Sequence, residues 1–185
     1  MTSETKHTVL LVMDVQSGVT DRLENPDKYI GEVAKAVAAA HKNHLPVFYV
    51  VVGFRNGFPE VSPNNKSFSA IKDTMATSFV ASRPALKITR NDIIIMKHRV
   101  SSFSGSDLEM LLRAQDLRHL VLAGVATSGV VLSTVREAAD KDFRLTVLSD
   151  LCKDFDDEVQ SVLIEKVFPR QARVITSQQW ITLIK

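Results

Sequence analysis

Short apolar runs alternate along this chain with segments in which apolar residues recur at helical spacing. The apolar runs cover residues 8–13, 46–52, 92–96, 120–123, 144–148 and 172–175. Such runs, without alternating polar positions, are typical of parallel strands buried on both faces. Helices are predicted at 25–44, after a cap at Ser104 or Ser106, after residue 127, at 156–168 and from Ser177. The pattern favours an α/β fold, a three-layer αβα sandwich with a six-stranded parallel sheet and helices on both faces.

One long segment, residues 54–91, has little strand character, although 67–77 has the pattern of a short helix. It begins with Gly, Pro and Asn residues that are typical of loops. Connections of this length inside a compact domain are usually lids or binding loops. We therefore expect Phe54, Arg55 and Phe58 to line a pocket.

Composition narrows the function classes. The 185 residues predict one domain spanning 1–185, and the 23 basic and 21 acidic residues give a net charge of only +2. The basic residues are scattered, which argues against nucleic acid as a partner. No apolar run approaches the ~18 residues of a membrane span, and the polar start MTSETKH does not resemble a secretion signal. The single cysteine, Cys152, excludes an internal disulfide and favours a reducing, cytoplasmic location.

Charged residues close two of the predicted strands, Asp14 after the first and Lys97 after the third. Each has two interpretations: a residue that marks where the strand meets water, or a catalytic group at the carboxyl edge of the sheet, where open α/β folds place their sites. Taken alone, Asp14 favours the first interpretation.

The stretch around residues 120–130 predicts a buried strand, a sharp turn at Gly124 and then a helix, with Thr127 and Ser128 as residues of the N-cap type. Free N–H groups at such a helix start can hold an anion or an oxyanion. The alternative is an ordinary βα connection of a parallel sheet. Because parallel strands end at one edge, Asp14, Gly53–Arg55, Lys97 and this turn are expected to lie together.

Three motifs carry a resemblance to a known family. They are DVQ after the first strand, KHRVSSFSGSDL after the third, and HLVLAGVATSGVVLSTVREAADKDFRLTVLSD. In order and spacing the chain resembles the isochorismatase-like hydrolases, also called cysteine hydrolases. The resemblance implies the strand order 3-2-1-4-5-6 and a non-proline cis peptide between Val125 and Ala126. It also implies that Asp14 and Lys97 are catalytic.

The same resemblance assigns the nucleophilic cysteine of the family to position 130, which is valine here. A valine cannot form an acyl-enzyme as a thiolate does. Cys152 follows the fifth strand and not the turn, and the nearby Ser128 and Ser133 are more typical of caps and helix hydroxyls. One branch of the family carries a metal bound by an aspartate and two histidines, but Gly53, Phe54 and Arg55 stand at the matching strand end, so no metal or other cofactor is predicted.

Two hypotheses follow. The first is an isochorismatase-like hydrolase of a small, anionic metabolite that uses Asp14 as general acid or base, with Lys97 orienting it or holding substrate charge. The second is a catalytically inactive member of the family that binds a small molecule or a protein partner without turnover. The anion-binding turn is predicted to comprise Val125, Ala126, Gly129 and Val130, and the substrate-binding residues Gln16, Phe54, Arg55 and Phe103. The resemblance implies a homo-oligomer, to which the apolar tail around Trp180 and Ile184 would contribute.

Overall fold

The computed structural model describes residues 5–74, 79–80 and 82–185. Its strands are β1 Thr8–Met13, β2 Val47–Val52, β3 Ile93–Lys97, β4 His119–Val125, β5 Arg144–Lys153 and β6 Arg173–Ile175. They form one sheet in the order β3-β2-β1-β4-β5-β6, and all five neighbouring pairs are parallel. The predicted fold class and strand order are confirmed.

Helices connect these strands. The α-helices among the described residues are α1 Pro26–Lys42, α2 Lys66–Thr74, α3 Leu108–Ala114, α4 Leu132–Asp140, α5 Asp157–Val162 and α6 Ser177–Leu183. Short turns of other helix types cover Thr20–Arg22, Thr127–Val131, Leu163–Val167 and Phe168–Arg170. Helix α2 matches the predicted short helix, whose last three residues lie outside the described part of the chain. None of the helices described is long and apolar enough for a bilayer crossing.

Each face of the sheet carries its own apolar core, because side chains alternate between the faces along a strand. In β1, Leu11 and Met13 belong to a core that includes Leu108 of α3 and Val135 of α4. Leu10 and its neighbours on the other face form a second core with residues of α1 and α6. The fully buried strand β1 thereby fixes the position of the residue that follows it, Asp14.

The tail residues Trp180 and Ile184 lie within the second core, and both are buried against residues of α1 and the sheet. These two side chains therefore pack within the chain, whereas Leu183 of the same tail is exposed, and a contribution of the tail to contacts between copies stays a prediction. The tail is held in this chain by a capping box at the start of α6, in which Thr176 and Gln179 exchange hydrogen bonds between side chain and backbone.

The structure differs from the predicted elements at four places. Strand β4 runs through Gly124 to Val125, so the turn follows Val125 and does not begin at Gly124. Strand β5 continues to Lys153 and not to residue 148, because Cys152 and Lys153 pair with Gly124 and Val125 after a register shift. The predicted helix at 156–168 is α-helical only over Asp157–Val162. The turn after β4 is flanked by Ala126, so Thr127 and Ser128 lie inside the helical turn and neither caps it.

Candidate active site at the carboxyl edge of the sheet

An ion pair links the ends of two strands that are not neighbours. Asp14 follows β1 and Lys97 ends β3, with β2 between them. The Lys97 Nζ atom lies 2.9 Å from Asp14 Oδ2, and the Lys97 side chain is 1% exposed. The Asp14 backbone has a positive φ of 54°, and its N–H donates to the Val50 carbonyl of β2 at 2.8 Å. The two predicted catalytic residues are therefore brought into contact.

Lys97 is held by more than Asp14. Its ammonium group also donates to the carbonyl oxygens of Arg99 at 3.0 Å and Val100 at 3.1 Å. An ammonium group has three donors, and these contacts together with Asp14 account for all three. Lys97 can therefore orient Asp14, but it has no donor left for a ligand.

The two oxygens of Asp14 are in different situations. Oδ2 faces Lys97, whereas Oδ1 is buried and has no hydrogen-bond partner. Burial raises the pKa of Asp14 above its ordinary value, and the neighbouring Lys97 opposes that increase without cancelling it. A carboxyl group with one fixed oxygen and one unpartnered oxygen can accept or deliver a proton at the unpartnered oxygen.

The turn after β4 lies beside this pair. The peptide bond between Val125 and Ala126 is cis, as the family resemblance implies. The Ala126 carbonyl accepts the N–H groups of Gly129 and Val131 at 3.1 and 3.3 Å. These contacts close a tight helical turn, with Val130 between the two donors.

Gly124 allows this turn to lie close to Asp14. A β-carbon at position 124 would stand 2.5 Å from the carbonyl oxygen of Met13, the residue before Asp14. Because the obstacle is backbone, no side-chain rotation could make room. The glycine at the end of β4 thus lets the turn and Asp14 share one corner of the edge.

Asp154, just after β5, is a residue of this corner that the sequence patterns did not single out. Its Oδ2 accepts the Ser128 N–H at 2.6 Å, and its Oδ1 accepts the Phe155 N–H at 2.9 Å. One carboxylate therefore holds both the turn after β4 and the start of the segment after β5. No sequence signal identified it, because the predicted fifth strand ended at residue 148, and Asp154 follows β5 only because that strand continues to Lys153.

A cavity of about 210 Å³ opens between these elements. The predicted residues that line it are Asp14, Lys97, Val125, Ala126, Gly129 and Val130. The lining residues that were not predicted are Gly18, Val19, Arg22, Val52, Ser67, Phe68, Ile71, Phe79, Val100 and Phe155. The volume is below the roughly 300–1,000 Å³ typical of pockets for drug-sized ligands, so the cavity suits a small molecule.

The four predicted substrate-binding residues do not line this cavity. Gln16 is 1% exposed, and its side-chain amide exchanges two hydrogen bonds with the Val52 backbone, at 2.8 and 3.0 Å. Phe54 packs on Phe58 and on Phe68, which itself lines the cavity, so Phe54 lies in the layer behind the cavity wall. Arg55, with its side chain 74% exposed, forms an ion pair with Glu60.

Phe103 packs in the first core, where its ring lies 5.8 Å from that of Phe143. It is therefore a core residue and does not line the cavity.

Other candidate nucleophiles lie outside the cavity. Cys152 is fully buried, its thiol faces the Leu122 carbonyl, and burial raises the pKa of this thiol to about 12. Ser128 is exposed on the turn, and Ser133 lines a surface depression elsewhere. Val130 itself is buried and lines the cavity with a hydrocarbon side chain.

The end of β2 does not fit a metal. Gly53 and Phe54 offer no side-chain ligand there, and Arg55 is cationic and paired with Glu60. Within the described ranges, no three histidine, cysteine, aspartate or glutamate side chains are grouped so that they could hold a metal ion.

Known proteins resemble this chain in sequence and in fold. The isochorismatase domain model matches residues 8–179. The isochorismatase family protein YecD of Escherichia coli O157:H7 is 30% identical over 172 residues, which cover 91% of this chain and 92% of that protein. The ureidoacrylate amidohydrolase RutB of Acinetobacter baylyi is 27% identical and is covered over 71% of its length, against 80% of this chain.

Among solved structures, an isochorismatase family protein of Burkholderia thailandensis superimposes with a TM-score of 0.82 at 24% identity, covering 96% of this chain and 95% of that one. The likeness shows the shared fold. Together with the domain match over nearly the whole chain, it establishes that this chain belongs to the isochorismatase family.

Proposed function

We propose that this protein is a hydrolase of a small, anionic metabolite that uses Asp14 as its general acid or base and works without a cysteine nucleophile. The observation that carries the proposal is the Asp14 carboxyl group, which lines the cavity with Oδ2 fixed by Lys97 while Oδ1 has no partner. The similarity to RutB, a ureidoacrylate amidohydrolase by name, supports hydrolysis of a small molecule.

Each part of the cavity has a role in this proposal. Lys97 is a positioning residue, because its three donors are already used within the protein. Asp14 transfers the proton at Oδ1, to the substrate as an acid or from the attacking water as a base. The turn formed by Val125, Ala126, Gly129 and Val130 is the anion-binding element. Its backbone N–H groups at Ala126 and Val130 stabilise developing negative charge, because the N–H of Gly129 is already bonded to the Ala126 carbonyl.

The role of Asp14 is tested by replacing it. Wild type, Asp14→Asn and the control Asp157→Asn are assayed for kcat/KM on small carboxylates bearing an amide, a ureide or a vinyl ether. Asp157 lies in the first turn of α5 and does not line the cavity. We expect Asp14→Asn to lose about 100-fold or more, the usual contribution of a general acid or base, while the control keeps its activity. An unchanged Asp14→Asn enzyme would show that Asp14 is not the acid or base.

A pH profile separates the two chemical roles. The pKa of Asp14 is raised by burial, so an acid role predicts that kcat falls as the pH rises through that pKa, and a base role predicts the reverse. Asp14→Asn should remove this limb of the profile in either case. A limb that survives the substitution would belong to another group.

The second candidate function is binding without turnover. It is favoured by the turn, whose cavity-lining residues present neither a thiol nor a hydroxyl. The test is Val130→Cys, with Ser133→Cys as the matched control because Ser133 does not line the cavity. Amide hydrolysis gained by Val130→Cys alone would show a working site that is missing only a nucleophile. A wild type inactive on the whole panel, with a Val130→Cys variant that gains nothing, would favour the binding function.

A further inference from the structure

The charges that line the cavity do not balance. Among the described residues its charged side chains are Asp14, Lys97 and Arg22. Asp14 and Lys97 pair with each other at 2.9 Å, and the ammonium group of Lys97 also donates to two backbone carbonyls. The remaining charge is the guanidinium of Arg22.

The backbone of Arg22 is held in place, while the residue itself is exposed to solvent. It ends the short helical turn Thr20–Arg22, where the Arg22 N–H donates to the Val19 carbonyl at 3.3 Å. Thr20 anchors this turn, because its N–H and its hydroxyl both donate to the Gln16 carbonyl at 3.0 Å. Gln16 is in turn bonded to the backbone of β2. The turn is therefore fixed to the strands that carry the site.

The Arg22 guanidinium lies on an aromatic ring and has no anionic partner. Its central carbon is 4.1 Å from the centroid of the Phe155 ring, in the range of a cation–π contact. Within the described part of the chain, its side chain makes no hydrogen bond and has no carboxylate within 4.0 Å. Stacking uses the flat face of a guanidinium and leaves its N–H donors, at the edge of the plane, for a bidentate bond to a carboxylate.

Phe155 is positioned as well. Its N–H donates to Asp154, the carboxylate that also holds the Ser128 N–H of the turn. Asp154 thus links the backbone of Phe155, whose ring contacts the Arg22 guanidinium, to the turn after β4. By contrast, Arg55, the arginine that the sequence favoured for this task, is neutralised by Glu60 outside the cavity.

The uncharged residues that line the cavity are mostly apolar, with Val19, Phe68, Ile71, Phe79 and Val100 among them. The cavity therefore combines a cation stacked on Phe155, apolar walls and a proton-transfer group at Asp14. A short molecule with a carboxylate at one end and a hydrolysable group at the other has the complementary distribution of charge and polarity.

We propose that Arg22, stacked on Phe155, is the specificity-determining residue that binds the carboxylate of the substrate and so restricts this site to short ω-substituted carboxylates. The assignment of the other substrate end to Asp14 rests on the proposed function, whereas the role of Arg22 in binding does not. No bond is made or broken at Arg22, which acts by a charge-assisted bidentate hydrogen bond.

The test measures binding of charged and neutral ligands of matched shape. Succinamate, glutaramate and adipamate are titrated by calorimetry into wild type, Arg22→Gln, Arg22→Lys and the control Arg55→Gln, alongside the neutral diamides of the same lengths. We expect wild type to bind at least one of the charged ligands about 10- to 100-fold more tightly than its diamide, the range for hydrogen bonds to charged groups. Arg22→Gln should lose this preference, Arg22→Lys should keep part of it, and Arg55→Gln should keep it in full.

Three results would overturn the proposal: a preference that survives Arg22→Gln, a preference lost equally in Arg55→Gln, or no binding of any of the carboxylates at millimolar concentration. Asp14→Asn separates this inference from the proposed function. If Asp14→Asn keeps turnover but Arg22→Gln loses the charge preference, the role of Asp14 is wrong and the role of Arg22 stands. If Asp14→Asn stops turnover and the preference never depended on Arg22, the reverse holds.

Discussion

The two edges of this sheet bury titratable groups in opposite ways. At the amino edge, His119 lies between Thr8 and Thr146, with ring-to-hydroxyl distances of 3.0 and 2.9 Å, so both ring nitrogens have partners. At the carboxyl edge, Asp14 Oδ1 and the Thr127 hydroxyl are buried without partners. Both groups of residues are polar and lie at the ends of an apolar sheet, yet of the two only the group at the carboxyl edge has unpaired polar atoms among its described residues, and its Asp14 lines a cavity.

The difference indicates which polar groups serve stability and which are available for chemistry. A buried polar atom without a partner is costly, so it persists where something else compensates for it, such as a ligand that supplies the missing hydrogen bond. The His119 network at the amino edge has no such vacancy. Among the described residues, the Tyr49 hydroxyl and the Gln160 side-chain oxygen are also buried without partners, and neither residue lines the cavity. An unmet hydrogen bond therefore marks a candidate site in this protein only where it lies beside a cavity and a neighbouring charge, as at Asp14.

The largest effect is expected from breaking the ion pair of the carboxyl edge. Lys97→Met leaves Asp14 buried without its cation, and removing one partner of a buried pair typically costs about 3–5 kcal/mol of unfolding free energy. The double variant Asp14→Asn/Lys97→Met should recover part of this loss, because no charge is then left without a partner. Urea unfolding of the three proteins measures both values.

The pH dependence of the Lys97→Met variant has a definite sign. Without Lys97, nothing opposes the increase in the pKa of Asp14 that burial causes. Stability from an acid whose pKa is raised on folding is present below its unfolded pKa of about 3.9 and is lost as the pH rises through the folded value. The loss of unfolding free energy caused by Lys97→Met should therefore grow as the pH rises. The loss of unfolding free energy could instead be equal at all pH values and equal in the double variant. That result would mean that the lost packing of the lysine side chain is responsible.

A smaller effect is expected from the backbone spacing at the same edge. Gly124→Ala places a β-carbon 2.5 Å from the Met13 carbonyl oxygen, and forcing strands apart in a packed core costs about 1–3 kcal/mol. Gly31→Ala in helix α1 is the matched control, since its β-carbon meets nothing within 4 Å and alanine favours a helix interior by about 0.5–1 kcal/mol. Thermal unfolding should shift in opposite directions for the two variants. A neutral Gly124→Ala would show that β1 and β4 can separate freely at this edge.

The strands were predictable because their apolar runs are a property of each segment alone. The end of β5 was not, since Ser149 and Asp150 resemble loop residues by type and yet lie within a strand that continues to pair with β4. Asp14 and Lys97 were predictable as charged residues at strand ends, with the family resemblance to combine them.

Arg22 and Asp154 show where sequence reasoning ends. Arg22 lines the cavity because a short turn folds back onto Gln16. No periodic pattern of apolar residues predicts such a turn. Arg55 stands in the expected place along the chain, but Glu60, five residues later, pairs with it and holds it outside. Which of two arginines is free depends on partners that only the fold brings together.

The smallest effect in this series tests the amino edge. Arg144 Nη2 lies 3.1 Å from His119 Nδ1, and because a guanidinium can only donate, Nδ1 must be the unprotonated acceptor. Nε2–H then donates to Thr146. Burial, with Arg144 and Arg173 nearby, lowers the pKa of His119 to about 4. The neutral ring is thus the form that the fold selects.

This assignment predicts how stability changes in mild acid. Between the ordinary histidine pKa of about 6.5 and the folded value of about 4, the unfolded chain binds the extra proton, so unfolding free energy is lost as the pH falls through this window. The loss should be about 1–2 kcal/mol once solvent screening of this partly exposed ring is included. His119→Gln should flatten the pH dependence in urea unfolding, whereas His44→Asn, at an exposed histidine, should leave it as in wild type. If His119→Gln kept the full pH dependence of the unfolding free energy, the fold would not be holding His119 neutral. The contrast between the paired polar group at the amino edge and the unpaired one at the carboxyl edge would then be wrong.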